Sequence, residues 1–226
     1  MAVDLLSQLA KGLQQHGLIL RGAFHTQPGD TVTETVGTIA LVGNAGPDLW
    51  THFRAERRDE KNPLDRWTKR IVNRIAEELG ASAAYPSDGP PYHPFQQWAM
   101  RSEPVYPSPI GLLMHPRYGL WHAYRAAVLF SEKVELPVFE EQSNPCDTCM
   151  DKPCLSTCPV GAFSAEGYDV PSCAAHLSKP EGADCMELGC RARRACPVGR
   201  DYHYPPGQAD FHMQAFLNPR IRPAAV

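Results

Sequence analysis

Cys146-Asp-Thr-Cys149-Met-Asp-Lys-Pro-Cys154-Leu-Ser-Thr-Cys158-Pro159 is the stretch on which the reading of this chain turns. Its cysteines are separated by two, four and three residues, and a proline follows the last. A second set, Cys173, Cys185, Cys190 and Cys196, has wider gaps and also closes on Cys-Pro. Cys158-Pro-Val-Gly161 recurs as Cys196-Pro-Val-Gly199, a degenerate two-fold repeat. These are all eight cysteines of the chain, and residues 1–145 contain none. In an exported protein an even count would suggest disulfides. Residues 2–17, however, read as an amphipathic helix carrying Asp4 and Lys11 rather than the apolar core of a signal peptide. A tight cysteine cluster without an export signal predicts metal ligation in a reducing, cytoplasmic compartment.

Two metals compete for such a cluster. Structural zinc favours paired Cys-x2-Cys knuckles, and Cys146/Cys149 is the one pair with that spacing. The first set resembles the bacterial ferredoxin motif, with two extra residues before its third cysteine. The two Cys-Pro ends also fit that family. The resemblance implies two [4Fe–4S] clusters with crossed ligation, in which the cysteine before proline reaches the other cubane. On that rule Cys146, Cys149, Cys154 and Cys196 hold one cluster, and Cys158, Cys173, Cys185 and Cys190 the other. Arg191, Arg193, Arg194 and Arg200 lie beside the last ligands, where they could offset cluster charge or dock an acidic donor.

Upstream, the pattern alternates helix and strand. Residues 2–16 predict a helix closed by Gly17, Leu18–Phe24 a strand, and Thr35–Val42 a second strand that is apolar on both faces. Gly43–Pro47 reads as a turn, and Asp48 opens a helix to about Arg57. The clearest helix spans Asn62–Leu79, with Asn62 as its cap, Pro63 in first position, and Leu64, Trp67, Ile71, Ile75 and Leu79 on one stripe. Ala81–Tyr85 predicts a strand and Phe95–Met100 a short helix. Ile110–Met114 and Trp121–Phe130 read as two strands joined by His115-Pro-Arg-Tyr-Gly-Leu120. After the cysteines, Gln208–Leu217 predicts a helix ended by Pro219. The expected fold class is α+β, with one domain over 1–138 and a cysteine domain over 139–226. The 226 residues are 43% hydrophobic, enough for one sizeable core or two small ones. A net charge of -3 argues against a strongly basic nucleic-acid binder. No apolar run is long enough to span a bilayer.

The segment Gly111-Leu-Leu-Met-His115-Pro-Arg-Tyr-Gly-Leu-Trp-His-Ala-Tyr-Arg-Ala-Ala-Val-Leu-Phe130 resembles cobalamin-processing proteins of the CblC type, which carry a His-Pro-Arg-aromatic-Gly-x-Trp turn between two apolar strands. The order of parts is also similar to epoxyqueuosine reductases and reductive dehalogenases, which join a cobalamin-binding, nitroreductase-like domain to a two-cluster ferredoxin module. This chain departs from them in lacking a Gly-x-Gly-x-x-Gly stretch before the hairpin and the C-terminal repeats of the queuosine enzymes. The resemblance implies a nitroreductase-like α/β domain that holds a base-off corrinoid. Tyr118, Trp121 and Tyr124 would supply aromatic walls, with His115 near the cobalt or ordering the turn. Arg117 and Arg125 would face amide or phosphate groups. Strand alternation sets Tyr124 and His122 on one face and Trp121 and Arg125 on the other, so the six residues share one pocket only if the strand is bulged or two-sided.

The expected function is an oxidoreductase that passes electrons through two [4Fe–4S] clusters to cobalamin, reducing it and removing its upper ligand. A low-potential donor protein would feed the clusters. A ferredoxin-type carrier without corrinoid is one alternative, and an epoxyqueuosine-reductase-like enzyme acting on tRNA is another. Nitroreductase-like folds often house a flavin, but no nucleotide motif here supports one. No motif singles out a catalytic proton donor.

Overall fold

The computed structural model describes residues 4–30, 32, 36–136, 138–139 and 142–221. In chain order the elements are α1 (Leu5–Gln14), β1 (Ile19–His25), β2 (Thr38–Ala45), α2 (Asp48–Glu56), α3 (Pro63–Glu78), β3 (Ser82–Ala84), α4 (Phe95–Ser102), β4 (Tyr106–Pro107), β5 (Leu113–Met114), β6 (His122–Phe130), α5 (Pro153–Ser156), β7 (Phe163–Ser164), β8 (Gly167–Tyr168), α6 (Val170–Leu177), α7 (Ala183–Leu188), α8 (Arg191–Arg194) and α9 (Pro206–Ile221). This is the α+β mixture expected. Among the described residues no helix is long and apolar enough to cross a membrane. Contacts divide the chain into two compact units, residues 1–104 with 122–142, and residues 105–121 with 143–226.

The first unit is built on an antiparallel sheet in the order β1-β2-β6-β3. The central β2 is buried from Thr38 to Asn44, as its two-sided apolar pattern demands. Helix α3 lays Leu64, Trp67, Ile71 and Ile75 into the core, and Gly80 at φ +65° ends it in the left-handed conformation only glycine adopts freely. Burying four such side chains stabilises the unit by about 1.5–3 kcal/mol each.

Several local expectations are corrected. Asn62 does precede α3, but at φ 51° it makes no side-chain capping bond. The left-handed backbone departs from the extended conformation in which a capping side chain reaches the first-turn N–H groups. Gly43, Asn44 and Ala45 continue β2 rather than forming a turn, because they stay paired with Tyr124, Ala123 and His122 of β6. The two strands around His115–Leu120 are not paired to each other. Strand β5 pairs with β4 (Tyr106 with Met114, Pro107 with Leu113), while β6 joins the large sheet. The expected start of β2 at Thr35 lies outside the described residues, and Pro219 stands inside α9 instead of ending it.

Among the described residues, the second unit packs its helices and two-stranded ribbons around small cores. One combines Ile110, Met114, Leu120, Ala192 and Cys196. Another combines Leu177, Cys185, Met186 and Leu217. The third stacks Trp121 with Tyr204 and Ala209. Cysteine side chains belong to the first two, so their packing depends on what those sulfurs hold.

Candidate functional site

None of the eight cysteines is joined to another in a disulfide. Cys146, Cys149, Cys154 and Cys196 line one cavity, whose other walls include Met114, Leu120, Pro145 and Val198. The fourth thiol thus comes from the Cys-Pro end of the second set. Local geometry explains how it arrives. Gly119, at φ +59°, would place a Cβ 2.1 Å from the Val198 carbonyl oxygen, and Gly199, at φ +74°, would place one 2.3 Å from the Tyr118 oxygen. The His-Pro-Arg-Tyr-Gly turn and the Cys-Pro-Val-Gly turn therefore meet backbone to backbone, which two glycines permit. Arg193 clamps the same junction. Its Nε and Nη2 donate to the Leu120 carbonyl at 3.0 and 2.6 Å, and its guanidinium stacks 4.3 Å from Trp121 and 4.7 Å from Tyr204.

Cys146, Cys154 and Cys196 are each perturbed. Burial, then Cys196, Cys154 and Cys149, push Cys146 up to about 11. Cys154 is raised by burial and by Cys196 and Cys149. Burial also raises Cys196, while the Val198 N–H and Arg200 pull it back. Four buried or half-buried sulfurs around one cavity resist ionising together unless a cationic centre sits among them. Among the described residues no three Cys, His, Asp or Glu side chains close on a single-ion point. The donor set, soft thiolates on apolar walls, fits an iron–sulfur cluster.

The remaining cysteines divide between two cores. Burial raises Cys190, and Cys185 and Cys173 add to it. Cys173 and Cys185 share the core around Leu177. Cys158 packs against the same core as Cys190, and its Sγ accepts a hydrogen bond from the Ala162 N–H at 3.3 Å. Of the arginines expected to offset cluster charge, Arg191 and Arg194 pair instead with Asp184, Arg193 is the clamp described above, and Arg200 acts on Cys196.

The six residues expected at a corrinoid fall in both units, and each has a partner in its own. In the second unit His115 Nδ1 accepts the Arg117 and Tyr118 N–H groups at 3.0 and 3.2 Å and its ring stacks on Tyr118. Arg117 Nε donates to the Tyr202 hydroxyl at 2.7 Å, and Trp121 is buried against His203 and Tyr204. In the first unit Tyr124 donates to Glu103 at 2.6 Å and Arg125 Nε donates to the Asn44 side chain at 3.2 Å. Tyr124 and Arg125 nevertheless line one cavity of about 290 Å3, with Asp65, Lys69, Tyr85 and Ser87. A β-bulge makes this possible. Val42 pairs with Ala126 and Gly43 with Tyr124, leaving Arg125 as the extra residue. Gly43 is required there, since a Cβ would lie 2.0 Å from the Ala123 oxygen.

Sequence reasoning missed the support beneath Tyr124. Arg21, inside β1, pairs with Glu103 at 2.8 Å and lies 4.8 Å from the Tyr124 ring centre. A lone arginine in the apolar run Leu18–Phe24 was the available signal, because a buried charge needs a partner. Tyr202, His203 and Tyr204 carried no such signal.

No protein-family model matches the sequence, and no curated protein does. Solved structures share its fold at low identity. An epoxyqueuosine reductase from Streptococcus thermophilus aligns with TM-score 0.55 and 15% identity over 92% of this chain and 70% of that one. Another epoxyqueuosine reductase, solved with a tRNA-Tyr stem loop, aligns at 0.51 and 13%, over 88% and 67%. A reductive dehalogenase, whose structure suggests a mechanism for B12-dependent dehalogenation, aligns at 0.50 and 12% over 88% of this chain and 33% of that one. The C. elegans B12-trafficking protein CblC aligns more loosely, at 0.46 and 15%, over 98% and 97%. The chain thus has the fold of epoxyqueuosine reductase and spans a third of the dehalogenase.

Proposed function

We propose that this chain is an iron–sulfur oxidoreductase of the cobalamin-linked kind, with a corrinoid domain over 1–138 and a two-cluster domain over 139–226. Cys146, Cys149, Cys154 and Cys196 would hold one [4Fe–4S] cluster, and Cys158, Cys173, Cys185 and Cys190 the second. The observation that carries the reading is the gathering of four thiols from two separate cysteine sets around one apolar cavity. Such clusters supply one-electron transfer at potentials reaching about −700 mV. The protein's own part is to exclude water with Met114, Leu120 and Val198 and to hold Cys196 in place through the Gly119–Gly199 junction and Arg193. Of the residues that the resemblance implies, Tyr124 and Arg125, which line one cavity of the first unit, are those that would face a corrinoid. Its cobalt would supply a centre that loses its upper ligand on reduction. A low-potential protein would be the electron donor.

A second reading makes RNA the substrate. The reductase that shares this fold over 88% of the chain was solved with a tRNA stem loop, and a net charge of -3 for the whole chain does not describe any one face.

Oxygen-free purification with iron and sulfide counting tests the cluster half. About eight of each per chain are expected from two cubanes, and colourless protein holding zinc or disulfides would end the reading. Titration of the same sample with hydroxocobalamin tests the other half. A shift to the base-off spectrum is expected, and an unchanged spectrum rejects the corrinoid. Retention of a tRNA stem loop by that corrinoid-inert protein would favour the RNA reading.

A further inference from the structure

Ser108 lies between Pro107 and Pro109, in the turn that joins β4 to β5. Its backbone is fully engaged: the N–H donates to the Leu112 carbonyl at 2.9 Å, and its carbonyl accepts the Gly111 N–H at 3.0 Å. Its side chain is not. The residue is 9% exposed, and its Oγ is buried without a hydrogen-bond partner. A buried hydroxyl left in that state costs free energy unless something accepts from it. Ser108 lines the cavity of Cys146, Cys149, Cys154 and Cys196, whose remaining walls are mainly apolar.

We infer that the Ser108 hydroxyl donates a hydrogen bond to sulfur of the cluster held by Cys146, Cys149, Cys154 and Cys196, and raises the reduction potential of that cluster alone. This rests on the cluster reading above. The sign follows from charge. Reduction adds an electron to a cluster that is already anionic, and a donor aimed at sulfur stabilises the more negative state more strongly. Hydrogen bonds to the sulfurs are among the factors that set cluster potentials. Asymmetry between the sites follows from placement, because Ser108 lines the cavity of Cys146, Cys149, Cys154 and Cys196. The hydroxyl would thus shift the balance of the two potentials toward the cluster beside Ser108.

The test is an EPR-monitored redox titration of the anaerobic full chain, comparing wild type with Ser108→Ala. With iron and sulfide content equal, one midpoint should become more negative by about the equivalent of a tenfold change in the reduction equilibrium, about 59 mV for a one-electron couple. The other should stay put. Two loaded proteins with identical midpoints would overturn the inference while leaving the clusters standing. Absence of iron–sulfur from wild type would overturn the cluster reading itself. If Ser108→Ala loses iron, the near-isosteric pair Ser108→Thr and Ser108→Val repeats the comparison. The Thr variant should keep the higher potential, and equal values in the pair would refute the donor role.

Discussion

Arg21 and Glu103 are 1% and 5% exposed at their side chains, and the pair sits directly behind Tyr124. Removing one partner leaves the other charge buried and uncompensated, which costs about 3–5 kcal/mol, whereas replacing both with apolar side chains is often neutral. Glu103→Ala is therefore expected to lower stability by about that amount in urea denaturation, and Arg21→Met with Glu103→Leu to recover most of it. Equal losses in the single and double variants would show that the pair does not act as a unit. Burial and the Glu103 carboxylate also push the Tyr124 hydroxyl above its usual range, despite the opposing pull of Arg21, so Tyr124 stays protonated as a hydrogen-bond donor.

The thiols make a pH prediction of their own. Cys146 is raised from the ordinary value of 9.0 to about 11, first by burial and then by Cys196, Cys154 and Cys149. The folded metal-free chain then keeps a proton that the unfolded chain has lost. Its contribution to stability is complete below pH 9.0 and is lost as pH rises through about 11. Thermal unfolding of chelator-stripped protein should show a falling midpoint across that window, and Cys146→Ser should lessen the fall, the remainder belonging to Cys154, Cys190 and Cys196, which burial also raises. A Cys146→Ser profile parallel to wild type would refute the assignment.

At the scale of elements, legibility followed the strength of the local pattern. The stripe Leu64, Trp67, Ile71, Ile75 announced α3, and the two-sided apolar run from Thr38 to Val42 announced a central strand, because burial imposes both periods on the sequence. What was not legible depended on partners elsewhere. Gly43 and Asn44 resemble turn residues, yet β6 pairs with them and makes them strand. The same bulge explains why Tyr124 and Arg125 line one cavity against the alternation rule. Ser108 could not have been found in the sequence, since only the fold reveals that its hydroxyl is buried beside four thiols. Asn62 carries the clearest consequence at this scale. With φ at 51° and no capping bond, it acts as a left-handed hinge rather than a cap. Asn62→Gly should hold or raise the thermal midpoint, while Asn62→Val should cost about 1–2 kcal/mol because a β-branched side chain disfavours that conformation. A large loss in the Gly variant would restore the capping role.

For the whole molecule, the decisive question is which cysteines act together, and double substitutions answer it. Cys196 comes from the second set in sequence but lines the cavity of Cys146, Cys149 and Cys154. If those four form one site, Cys146→Ser and Cys196→Ser damage the same cluster, and the double variant should lose about four irons of about eight. Cys146→Ser with Cys158→Ser should strike both sites and lose nearly all. Ligation within each sequence set predicts the reverse: Cys146 with Cys158 would cost one cluster, and Cys146 with Cys196 would cost two. Each double variant removes two thiols, so a general loss of folding would affect them alike, and far-ultraviolet circular dichroism would reveal it. The difference in iron content between them therefore reports connectivity. Its sign tests whether the backbone junction at Gly119 and Gly199, clamped by Arg193, delivers Cys196 across the repeat to the first site.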